Sequence, residues 1–138
     1  RPASRAVAAF FGSPNLLAAK VVACERVDEE TYALTAEGAE GWRGPCLAGQ
    51  VFERGAEALV MTRPEDMVVT DAGTASTPTR NAWRGTVISS TFRGPRRSMV
   101  VECAGSRINI DAPAMRTAEI GDHVTLVAES RSSWALLP

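Results

Sequence analysis

The sequence predicts an all-β fold of small β-barrels with one short helix at the N-terminus. Three observations carry that expectation. Apolar residues recur at alternate positions through most of the chain, the runs they form are short, and glycine, proline or acidic clusters separate them. At 138 residues, with 45% hydrophobic and 22% charged side chains, the chain suits one globular domain or two very small ones sharing a core.

Pro2 to Phe11 reads as the helix. Proline fits a first turn, Val7, Phe10 and Phe11 share one side, and Gly12 followed by Pro14 stops it. After Asn15 the period shifts towards two. Leu16 to Ala23, Thr31 to Thr35, Ala58 to Thr62 and Met67 to Thr70 are expected strands. Asn81 to Phe92 is a strand broken by Gly85. Ser98 to Cys103 and Arg107 to Asp111 form a hairpin, with Gly105-Ser106 as its turn and glycine in the first position of a type II′ geometry. In that hairpin Met99, Val101 and Cys103 oppose Ile108 and Ile110, while Arg107, Asn109 and Asp111 point to water. Gly121-Asp122 turns the chain into His123 to Ala128, with His123 and Thr125 on the polar side, and Trp134 to Leu137 is a last short strand.

A Thr- and Ser-rich connector, Asp71 to Arg80, divides the chain. Charge divides there too. Residues 1–79 carry seven basic and eleven acidic side chains, and residues 80–138 carry eight and five, which sum to the net charge of −1.

Several function classes are excluded. Lys20 is the only lysine, with no glycine before it and no hydroxyl after it, so the chain holds no phosphate-binding loop for nucleotide hydrolysis. The longest uncharged stretch, Ala6 to Ala19, is broken by Gly12-Ser13-Pro14-Asn15 and falls short of the roughly 20 apolar residues that span a bilayer. The start, Arg1-Pro2-Ala3, has no signal-peptide pattern, and the chain reads as a piece of a longer protein. Cys24, Cys46 and Cys103 form no C-x-x-C pair. The expectation is three reduced, mostly buried thiols of a cytosolic protein, with no disulfide framework and no metal site.

Candidate chemistry is sparse. His123, the single histidine, follows a Gly-Asp turn and reads as a solvated strand residue, and Asp28-Glu29-Glu30 reads as a solvated loop. The densest positive patch is Arg93-Gly94-Pro95-Arg96-Arg97, where Arg93, Arg96 and Arg97 around a Gly-Pro turn can hold a phosphate, a carboxylate or an acidic partner. Nucleic acid is not an expected partner, because the net charge is negative and the three Trp, one Tyr and four Phe are scattered. No catalytic group is expected.

Two blocks of sequence resemble a known family. Arg1 to Asn15 resembles the segment that leaves the ATPase domain of ABC importers, and Met61-Thr62-Arg63-Pro64-Glu65-Asp66-Met67-Val68-Val69 is similar to the Arg-Pro-Glu turn of the regulatory domain that follows it. Asn81, Gly85-Thr86-Val87, Phe92-Arg93-Gly94 and Gly121-Asp122-His123-Val124 then match, in order, the skeleton of the transport-associated OB-type (TOBE) domain.

The resemblance implies a C-terminal regulatory domain of an ABC-importer ATP-binding subunit, from the superfamily of polyamine, ferric-iron and sugar importers. It implies OB-like barrels divided as a linker helix at 1–13, a first β subdomain at 14–72, a connector at 73–80 and a second OB-like subdomain at 81–138. The motif residues Arg63, Pro64, Glu65, Asp66, Asn81, Gly85, Gly94, Gly121 and Asp122 are then fold or interface residues. No methionine precedes Asn15 where sugar importers of the maltose type carry one, which tilts the transported solute towards polyamine, ferric iron or phosphonate.

The implied partners are a second copy of the subunit and, through the ATPase domain, the permease subunits at the inner face of the cell membrane. ATP and Mg belong to that upstream domain, and this chain carries no cofactor of its own. An apolar surface around Phe10, Phe11, Trp42, Trp83 and Trp134 is consistent with self-association. The alternatives are a sensor that binds a small ligand or oxyanion, as molybdate-binding relatives of the fold do, with Arg93, Arg96 and Arg97 as first contacts, and a free-standing OB-type nucleic-acid binder.

Overall fold

A computed structural model describes residues 14–71, 75–103, 105–113 and 118–138. The expected helix over Pro2 to Phe11 lies outside these residues. The described residues form ten strands: β1 (Asn15–Arg26), β2 (Tyr32–Glu37), β3 (Arg43–Ala48), β4 (Glu57–Thr62), β5 (Val68–Asp71), β6 (Arg80–Arg93), β7 (Arg96–Cys103), β8 (Ser106–Pro113), β9 (His123–Glu129) and β10 (Trp134–Leu136). They form a closed barrel in the order β1-β2-β3-β10-β4 and a five-stranded sheet in the order β5-β9-β6-β7-β8. The all-β, OB-like expectation holds.

Each layer is built around one long strand that serves two neighbours in turn. β1 pairs with β4 from Asn15 to Lys20 and with β2 from Lys20 to Arg26, bending at an irregularity between Val21 and Ala23. β6 does the same with β9 and then β7, its irregularity falling between Val87 and Ser89. An extra residue of this kind sharpens the local twist, which is what a short strand needs to pass from one partner to the next.

Sheet membership does not follow the expected division into 14–72 and 81–138. β5 leaves the first half to pair with β9 in the sheet, and β10 returns from the end of the chain to pair with β3 and β4 in the barrel. The reason is burial: Leu17, Val21, Leu34 and Val60 of the barrel and Val69, Trp83, Ile108 and Leu126 of the sheet belong to one hydrophobic cluster. The halves are strand-exchanged around a common core.

Three local expectations are corrected. β3, with Gly44 and Pro45, was not expected as a strand. It is tolerated because β10 meets β3 only at Trp134 and Leu47, so no ladder needs the N–H that Pro45 lacks. The type II′ turn at Gly105-Ser106 is not formed: Ser106 pairs with Cys103 as the first residue of β8, which leaves Gly105, at φ +80°, as the residue before the strand. Thr125 is buried rather than on a polar face, since β9 is central in the sheet and covered from Val124 to Ala128, with only His123 and Glu129 exposed.

The β7–β8 hairpin keeps its expected register, Met99 facing Ile110 and Val101 facing Ile108. No helix among the described residues is long and apolar enough to cross a membrane.

Candidate functional site

The family-motif residues act mainly as joints of the fold. Arg63 is extended and Pro64 to Asp66 form a 3₁₀ turn at the point where the chain leaves the barrel for the sheet, with Glu65 and Asp66 exposed. Proline suits the first position of such a turn. Asn81 is fully buried. Its Nδ2 donates to the Pro45 carbonyl at 2.6 Å and to Ser133 Oγ at 3.0 Å, tying β6 to β3 and to the segment that leads into β10. Gly94 (φ +60°) and Gly121 (φ +94°) occupy turns that need left-handed backbone. Asp122 Oδ2 closes the second turn by accepting from the Glu119 N–H at 2.9 Å.

Of the basic patch, the side chains of Arg96 and Arg97 do not converge. Arg93 and Arg96 pair through their backbones across the Gly94-Pro95 turn. Arg96 is engaged outward, its Nε donating to Asp111 Oδ1 and its Nη2 to the Asp111 carbonyl, both at 2.9 Å. Arg97, one residue on, faces inward and is 4% exposed. Its Nε donates to Ser90 Oγ at 2.6 Å and its guanidinium lies 4.9 Å from the Phe92 ring. Successive residues of a strand point to opposite faces, so Arg96 and Arg97 cannot clasp one ligand.

A different arginine pair does meet at one site. The tripeptide Trp-Arg-Gly occurs twice, at 42–44 and at 83–85. Folding stacks the two tryptophans, ring centroids 5.2 Å apart at 29°. A cleft of about 610 Å³ lies over this contact, lined by Glu40, Trp42, Arg43, Ser76, Trp83 and Arg84 among others. In each tripeptide the tryptophan is buried and the arginine exposed. Among the described residues neither Arg43 nor Arg84 has an ion-pair partner.

The glycines permit the close approach. A Cβ on Gly44 would collide with Asn81 Oδ1, and one on Gly85 would sit 2.5 Å from Cys103 Sγ and from Val101 Cγ1. Both indole Nε1–H groups are buried with no acceptor among the described residues, and so is Arg80 Nε–H, beside the connector that borders the cleft.

Glu40 stands on the rim in left-handed backbone, φ +58° and ψ +28°, a conformation uncommon outside glycine, asparagine and aspartate. Its carboxylate is close enough to Cys103 to add to the effect of burial, which pushes that thiol up to about 12. Burial likewise raises Cys46 to about 12, with Cys24 adding to it. No group of three His, Cys, Asp or Glu side chains among the described residues is placed to hold a metal ion. The cleft offers cationic and neutral donors, with one carboxylate at its edge: the equipment of an anion site.

This site was not singled out from the sequence, where Trp42 and Trp83 were weighed only as apolar bulk. The repeated tripeptide was the available signal.

A comparison with curated proteins gives no match. The structure is similar to that of the cytoplasmic molybdate-binding protein ModG, solved with molybdate bound, at a TM-score of 0.76 and 13% identity, covering 90% of this chain and 96% of that one. That likeness concerns the fold. The pattern of the TOBE domain family matches residues 60–136, more than half of the chain, and takes in the Arg63-Pro64-Glu65-Asp66 turn, the Asn81 joint and the Gly121-Asp122 turn. The chain belongs to the TOBE domain family.

Proposed function

We propose that the chain is a non-catalytic, cytoplasmic ligand-binding domain of TOBE type whose ligand is a small anion. The observation that carries this reading is the pair Arg43 and Arg84, brought to one cleft by the two Trp-Arg-Gly segments and lacking ion-pair partners among the described residues. Guanidinium groups pair oxyanions in bidentate fashion. The shared fold with a molybdate-binding protein supports the same ligand chemistry.

Isothermal titration calorimetry with molybdate, tungstate, sulfate and phosphate tests it. Binding of at least one, weakened tenfold or more in the Arg43→Ala/Arg84→Ala double variant, is expected. No heat with any anion, together with no thermal stabilisation, overturns it.

The ordered match of residues 61–69, 81–87 and 121–124 to importer regulatory domains favours a second, compatible reading: a regulatory and dimerisation domain attached to an ABC-importer ATPase, which would supply the ATP and Mg site and the contact with the permease. The coding sequence upstream of Arg1 tests this. A phosphate-binding loop there is expected, and a parent protein without one overturns the reading.

A further inference from the structure

We propose that the ligand of the Trp-Arg-Gly cleft is a small organic molecule bearing both an anionic group and an ammonium or other hydrogen-bond donor, the anion held by Arg43 and Arg84 and the donor by Glu40. This rests on the reading of the cleft as an anion site and narrows the class of ligand it takes. Three observations point beyond a bare oxyanion.

The first is size. The cleft measures about 610 Å³, within the roughly 300–1,000 Å³ of sites that enclose whole organic ligands. One water molecule takes a share of about 30 Å³, so a five-atom oxyanion would leave most of the space to solvent.

The second is charge. A site built for anions alone gains nothing from a carboxylate on its rim, where it repels the ligand and draws on the same guanidinium groups. Glu40 nonetheless lines both this cleft and an adjoining depression of about 370 Å³, and Arg84 lines both with it. Among the described residues Glu40 has no ion-pair partner, so its carboxylate is not consumed in holding the fold together.

The third is conformation. Glu40 adopts φ +58° immediately before Gly41 at φ +76°. A turn with two successive left-handed residues is most easily made by glycine or asparagine, and a glutamate there carries a conformational cost. Its backbone geometry directs an acidic side chain to the cleft edge, where two cations and one anion now face a single space. The complement of that arrangement is a ligand with one or two negative charges at one end and a donor at the other.

Calorimetry on the chain with matched pairs of probes tests the proposal. O-phosphoethanolamine against ethyl phosphate and β-alanine against propionate each differ by an amine alone. In at least one pair the aminated member is expected to bind about tenfold or more tighter, and Glu40→Gln is expected to remove that preference while leaving the affinity of the amine-free member equal or higher. Glu40 is exposed, so the variant keeps its fold, checked by its thermal midpoint.

Equal binding within both pairs, or a preference that survives in Glu40→Gln, overturns the proposal while leaving the anion reading in place. Binding of inorganic phosphate or molybdate with no response to any of the four organic probes does the same. Failure of every anion, organic or inorganic, overturns both.

Discussion

Asn15 and Asn109, 94 residues apart, exchange two hydrogen bonds of 2.8 Å: Asn15 Nδ2 donates to the Asn109 carbonyl, and the Asn109 N–H donates to Asn15 Oδ1. A side-chain amide thus supplies a rung to β8, the edge of the sheet, from the first residue of the barrel. An open edge is a template for unwanted pairing, and this contact caps part of it. Asn15→Ala removes both bonds and the contact of Nδ2 with Met67 Sδ. It should lower the unfolding free energy by about 1–3 kcal/mol, read from urea denaturation. A loss no larger than at an exposed surface position would show that water replaces the rung without cost.

The neighbours Arg96 and Arg97 should behave as different residues. The Arg96–Asp111 pair is half-exposed, at 44% and 43% for the two side chains, and such pairs contribute about 0–1 kcal/mol. Arg97 is buried under Phe92 with its short bond to Ser90, so truncation removes packing and a charge-assisted bond together. Arg96→Ala should cost at most about 1 kcal/mol, and Arg97→Ala about 2–3 kcal/mol. Equal costs in denaturant titrations would contradict the assignment of Arg97 to the interior.

That pair also marks where the sequence was legible and where it was not. Alternation placed Met99 and Val101 opposite Ile110 and Ile108, because a one-residue slip would turn the whole apolar set to water. The same period of two separates Arg96 from Arg97, so these arginines are neighbours in sequence and not on one face. β3 was hidden by Gly44 and Pro45, since only the tertiary placement of β10, which meets β3 at Leu47 and not at Pro45, shows why proline is acceptable there. The return of β10 to the barrel is set by a shared core that a three-residue run does not announce. The stacking of Trp42 on Trp83 is likewise tertiary, although the repeated tripeptide that supplies both rings was plain to read.

The thiols give a pH-dependent prediction. Cys46 and Cys103 are raised from 9.0 to about 12, burial first, so the folded chain keeps protons that the unfolded chain releases. The corresponding stability is full below about pH 9 and is lost progressively as the pH rises from there towards about 12. Urea midpoints should therefore fall between pH 8 and pH 10, and fall less in a Cys46→Ala/Cys103→Ala variant. An unchanged slope in that variant would rule the thiols out as the cause. In the native protein at pH 8 an aromatic disulfide reagent should label the half-buried Cys24 alone, the other two reacting only on unfolding.

The glycines of the repeated tripeptide supply the test of how the cleft is built. At Gly44 a methyl group meets Asn81 Oδ1, and Asn81 cannot swing aside without giving up its bonds to Pro45 and Ser133. At Gly85 it meets Cys103 Sγ and Val101 Cγ1 at 2.5 Å and the Glu102 carbonyl at 2.7 Å, of which the last is backbone. Gly49 has nothing within 4 Å and serves as the control. Gly44→Ala and Gly85→Ala should each cost about 1–3 kcal/mol and shift the tryptophan emission as the indoles separate, whereas Gly49→Ala should lie within about 1 kcal/mol of neutral. If all three substitutions cost the same, chain entropy and not close approach governs these positions, and the packing that brings Arg43 and Arg84 to one cleft does not depend on the glycines beside them.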